Sequence, residues 1–132
     1  MINQEELHIL SIPKMQEFFR EKCGEWKLGD WFWNDRDQKA MPVDNYAVNL
    51  LNKGTRFTGE TVDAIRLPLP VDPVNPARGL WGMIDWRKWK VVDSAQGNLR
   101  LWLKSMQPLF EVQDTPTLAL LKAIAKQQEI DL

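Results

Sequence analysis

Side chains that commonly carry chemistry are scarce in this chain, which has one cysteine, Cys23, and one histidine, His8. A lone cysteine cannot form an internal disulfide, and with a lone histidine it cannot build an ordinary Cys/His zinc site. A reducing, cytoplasmic setting is the resulting expectation. No histidine follows Cys23 to act as its base, so the thiol reads as a small packed residue near a helix end. Gly-x-Ser-x-Gly and His-Glu-x-x-His are both absent, and His8 lies too near the N-terminal end to anchor a histidine-based triad convincingly. The fragment NKGTRFTGET has Lys53, Gly54 and Thr55, but not the Gly-Lys-Ser/Thr order through which a phosphate loop converges on its ligand. No cofactor is expected. The apolar runs fall short of the roughly 18 residues that span a bilayer. The opening MINQEELHILSIPK has acids and no basic leader, unlike a signal peptide. No membrane association is therefore expected. A strong charge is also missing: 17 basic and 18 acidic side chains leave a formal charge of −1, so no global positive field attracts nucleic acid.

What the chain does have is apolar mass. Its 132 residues include seven tryptophans and five phenylalanines, and 44% are hydrophobic, enough to offset the entropy of ordering one domain. Ile12, Met15 and Phe19, widened by Phe18, recur at helical spacing. They predict a helix over residues 12–23, with Ser11 as N-cap, Pro13 in the first turn and Gly24 as the stop. Residues 1–10 read as a turn or helical lead-in. EWKLGDWFWNDRDQKAMPV predicts a strand, a turn at residues 34–37 and a returning strand that Pro42 marks as an edge or an end. DNYAVNLLNKG predicts a short helix capped by Asp44 or Asn45.

A further strand running through Leu67 leads into a proline-rich loop, residues 68–76, where Pro68, Pro70, Pro73 and Pro76 hold the chain extended. This loop reads as internal structure rather than a linker. As an exposed polyproline segment it could instead dock a partner, but the flanking cation spacing of an SH3 ligand is missing. Ala77, Leu80, Trp81 and Ile84 then follow a helical stripe, weakened by Gly79 and Gly82 at about 1 kcal/mol each relative to Ala. In WGMIDWRKW, Trp81 and Trp89 are better explained as core than as stacking surface, and Trp86 falls at a junction. Trp89 and Val91, then Leu99, Leu101 and Leu103, alternate with polar neighbours and predict a hairpin with one apolar face. Thr115 and Pro116 open a final helix striped by Leu118, Leu121, Ile124 and Ala125. The expected fold is a single α+β domain over residues 1–132, an antiparallel sheet of short hairpins packed against N- and C-terminal helices.

Two clusters are candidates for function. Period-two alternation puts Arg100, Trp102 and Lys104 opposite the leucines, where Lys88 and Lys90 of the partner strand can join them. Such a surface is either covered by another helix, a protein-contact hot spot, or a nucleic-acid platform in which a base stacks on the indole and cations hold phosphates. Asp30, Asp35, Asp37 and Asp44 form a second group that could surround a metal or flank a sugar. Their spacing fails the calcium-loop pattern, with Ala40 and Tyr46 where glycine and glutamate belong, and a solvated turn is the favoured reading.

EWKLGDWFWND, AIRLPLP, the short tryptophan-containing helix and TPTLALLKAIAKQQEI together resemble the layout of small uncharacterised proteins encoded by phages and prophages. That resemblance implies an accessory protein of a bacterial cytoplasm and assigns no catalytic residue. The expected function is a non-enzymatic interaction or accessory role, with a protein partner or a second copy of the chain. The alternatives are a nucleic-acid-binding module using the Trp102 face and a metal-dependent carboxylate enzyme.

Overall fold

The computed structural model describes residues 2–53, 56–57, 60–61, 64–93, 97–104 and 110–132. Among these residues, two antiparallel three-stranded sheets, a two-stranded ribbon and five α-helices make up an α+β fold, in place of the one sheet expected from the sequence. The N-terminal helix α1 (Gln4–Leu10) is a true helix, capped by the Asn3 side chain, which accepts the Glu6 amide. Helix α2 (Pro13–Cys23) ends at Gly24 and buries Met15, Phe18, Phe19 and Cys23. Ser11 does not cap it. The Ser11 hydroxyl donates instead to the carbonyl of His8 and closes α1, while Ile12, with no side-chain hydrogen bond, stands at the N-cap of α2.

The first sheet has the order β2-β1-β5, built from β1 (Trp31–Asn34), β2 (Lys39–Pro42) and β5 (Ile65–Arg66). Pro42 is the last residue of β2, an edge strand, where its missing N–H costs no ladder bond. Strand β1 begins only at Trp31, well inside the EWKLGDWFWND segment that the sequence reads as a strand. Residues 27–30 form a tight turn in which Lys27 N–H donates to the Asp30 carboxylate and Asp30 N–H to the Lys27 carbonyl. Helix α3 (Asn45–Lys53) is capped by Asp44, which accepts the Ala47 amide. A two-stranded ribbon, β3 (Arg56–Phe57) and β4 (Glu60–Thr61), precedes β5. Residues 54–55 and 58–59 of the NKGTRFTGET fragment, and residues 94–96 of the SAQGN loop, lie outside the described residues.

The helix expected after the proline-rich loop is interrupted. A single 3-10 turn, Pro76–Arg78, is followed by α4 (Leu80–Met83), with Gly79 extended between them. The two glycines have a packing role that their helix propensity conceals. A Cβ on Gly79 would meet the Asp72 nitrogen at 2.7 Å, and one on Gly82 would overlap the Pro76 carbonyl, so the loop lies directly against this turn. Backbone bonds from Leu80 N–H to Leu69 O and from Trp81 N–H to Pro70 O lock the same contact.

The second sheet, β6 (Trp89–Asp93), β7 (Leu99–Leu103) and β8 (Phe110–Asp114), carries the core. Strand β7 alternates buried and half-buried residues, with Leu99, Leu101 and Leu103 facing in. Helix α5 (Pro116–Gln127) lies on this leucine face and contacts α1, α4, β7 and β8. Its buried residues, Leu118 to Leu121 and Ala123 to Ala125, extend beyond a single stripe because neighbours surround it on several sides. Burying side chains such as Leu101 and Leu121 stabilises the fold by about 1.5–3 kcal/mol each. Trp89 is in this core, edge-on to Phe110. Trp81 is only half-buried and stacks at 5.4 Å on Trp86, whose indole N–H donates to the Trp81 carbonyl.

Candidate functional site

The outward face of the second sheet is fixed by register. Lys90 on β6 and Glu111 on β8 are both directly opposite Trp102 on β7, forming a row across the sheet. Arg100 lies opposite Gln113, and the Lys104 amide donates to the Lys88 carbonyl just beyond the ends of the strands. Since the three leucines of β7 point inward, period-two alternation requires Arg100 and Trp102 to point outward. The five residues anticipated from sequence are therefore brought together. Trp102 and Arg100 are half-buried, while Lys88, Lys90 and Lys104 are exposed.

One residue that the sequence reading missed changes the chemistry of this face. Glu111 Oε1 accepts the Trp102 indole N–H at 2.8 Å and two Arg100 donors, Nη2 at 2.6 Å and Nε at 3.0 Å. The indole hydrogen bond, aided by the guanidinium, holds the Glu111 carboxyl below the usual carboxylate range. Arg100 is thereby neutralised and the indole orientation is set. The remaining positive charge lies to one side, on Lys88, Lys90 and Lys104. The FEVQD alternation of β8 was the signal that could have revealed Glu111, since Phe110 and Val112 share one parity and Glu111 and Gln113 the other.

The four aspartates do not act together. Asp30 receives a fork from Arg78, with Nη1 at 2.9 Å and Nη2 at 2.8 Å, and lies 3.8 Å from Arg66 Nη1. Asp37 bonds Asn34 and Asp35 bonds Gln38 within the β1–β2 turn, while Asp44 caps α3. Among the described residues no group of three His, Cys, Asp or Glu side chains is placed to hold a metal ion.

Around Asp30 is a buried polar cluster with no evident local sequence signal. Arg78 also donates to the carbonyls of Cys23 and Glu25 and reaches Asp72 at 3.5 Å, and its hydrogen bonds to Asp30 raise its pKa. Arg66 stacks 4.0 Å over Trp26 and donates to the Gly24 carbonyl, and desolvation lowers its pKa. The Cys23 thiol donates to the Arg78 carbonyl at 3.6 Å, and burial pushes its pKa up, which disfavours the nucleophilic thiolate. These groups stitch α2, the 27–30 turn and the proline-rich loop together.

No family model, curated protein or solved structure matches the chain. Among the described residues no helix is long and apolar enough to cross a membrane.

Proposed function

We propose that this chain is a non-enzymatic interaction protein that engages a protein partner through the outward face of its second sheet. The observation that carries this reading is the Lys90–Trp102–Glu111 row, in which a half-buried indole is hydrogen-bonded to a carboxylate at the centre of a sheet face with exposed lysines beside it. Tryptophan and arginine, fixed before binding, are the residue types that dominate contact energy in protein interfaces. An accessory role is also what the sequence's resemblance to small phage- and prophage-encoded proteins implies. Nucleic acid is less well served, because the Glu111 carboxylate lies against Trp102 and occupies Arg100, leaving cations on only one side of the ring.

Site-directed photo-crosslinking tests this reading. Lys104→Cys places a thiol-linked crosslinker beside Trp102, and Lys39→Cys places it on exposed β2 as a control; buried Cys23 competes little for the label. In an extract of the native host, a discrete protein adduct is expected from position 104 and not from position 39. Equal labelling, no adduct, or adducts with nucleic acid would overturn the reading.

A further inference from the structure

Among the described residues β6 pairs with β7 alone, and its outer side joins two features of unlike polarity. The Lys104-to-Lys88 backbone bond makes Lys88–Lys104 a bonded pair and, two residues on, Lys90–Trp102 another. The N–H and C=O of Val91 therefore point away from β7, toward the open edge. The Val91 side chain shares the inward parity of Trp89 but remains 39% exposed at the rim of the core. Lys88 and Lys90 have the opposite parity and are exposed beside the same edge. An apolar residue whose backbone groups meet no partner among the described residues is thus bracketed by two cations on the other face.

We infer that β6 is the docking edge for one extended segment of a partner protein, in which apolar and acidic residues alternate. The inference rests on the contact-face reading above and adds the partner's chemistry. Such a segment would extend the sheet by main-chain hydrogen bonds, cover Val91 with its apolar residues and set carboxylates opposite Lys88 and Lys90. Strand β8 is the internal precedent: Phe110 and Val112 serve the core, while Glu111 on the outer face answers Arg100 and Trp102. Pairing with β6 of a second copy in register would oppose lysine with lysine, so charge argues against that occupant. The irregularity between Val91 and Asp93 limits the pairing length and directs it to residues 88–91.

The test uses the full chain and a capped peptide of alternating valine and glutamate, with valine–lysine and oligothymidylate as comparison probes. Binding of the valine–glutamate peptide with new exchange protection of the Val91 amide is expected. Joint Lys88→Glu and Lys90→Glu substitution should weaken it about tenfold, since two cross-strand attractions become repulsions, and should create affinity for the valine–lysine peptide. Both lysines are exposed, so the variant keeps its core. The inference is overturned by an absence of peptide binding, by binding that leaves Val91 unprotected or ignores the charge reversal, by tighter binding of oligothymidylate, or by self-association through β6. If crosslinking from position 104 succeeds while the peptide fails, the contact face stands and only the partner's chemistry is refuted.

Discussion

The two three-stranded sheets are held by different physics. The β6–β7–β8 sheet is secured by alternation: every second residue of β7 enters an apolar core closed by α5, and its polar groups are left to the outer face. The β2–β1–β5 sheet has shorter strands and fewer buried apolar residues, Trp33 being the buried one of β1, and it is pinned by guanidinium groups. Gln16 bonds both the N–H and the C=O of Arg66 at the strand edge, and Arg78 gathers Asp30, Asp72 and two carbonyls from the end of α2 onward. One region relies on non-directional burial and tolerates some change of shape; the other relies on directed bonds among groups that are costly to leave unpaired.

This contrast can be tested by single substitutions followed in urea unfolding. Leu101→Ala empties a fully buried site and should destabilise the protein most, by about 4 kcal/mol within the usual range for such cavities. Arg78→Met should cost about 3 kcal/mol by leaving Asp30, Asp72 and the carbonyls of Cys23 and Glu25 without their donor, and Arg78→Lys should rescue little because an ammonium cannot reproduce the fork. Full rescue by lysine would mean that charge alone, without directed bonds, holds the first sheet. Trp102→Ala should have the smallest effect, about 1 kcal/mol, since the ring lies on the outer face. A loss matching that of Leu101→Ala would instead make Trp102 a structural element of the sheet, and the contact-face reading would fail.

The same contrast explains what was legible in the sequence. Leu99, Leu101 and Leu103 disclose both faces of β7 because a strand has a period of two, and the stripe from Leu118 to Ala125 discloses α5 because a helix has a period near 3.6 residues. The outer group of Lys88, Lys90, Arg100, Trp102 and Lys104 follows directly from that register. Glu111 was within reach, through an alternation in β8 as regular as that of β7. Helix α1 was also partly visible, since Asn3 followed by Glu6 has the spacing of a helix start. Arg66 and Arg78 were not, because their roles depend on carbonyls and carboxylates some 42 to 55 residues away in sequence. Asp30 looked like one of four acidic turn residues for the same reason: no local pattern distinguishes a carboxylate awaiting a distant guanidinium from one facing water.

The close seating of residues 70–76 on Gly79 and Gly82 bears on how this chain can vary over time. Surface loops usually absorb insertions and deletions readily, because lengthening one costs little entropy. Here the proline-rich segment lies against two positions with no room for a side chain and supplies the carbonyls for the first amides of α4. A change in its length would shift those carbonyls relative to the glycines and would draw Asp72 away from Arg78. Lineages carrying this fold should therefore hold the spacing from Pro70 to Gly82 constant and accumulate length differences elsewhere, so that a segment resembling a linker in composition is inherited as a single indivisible block.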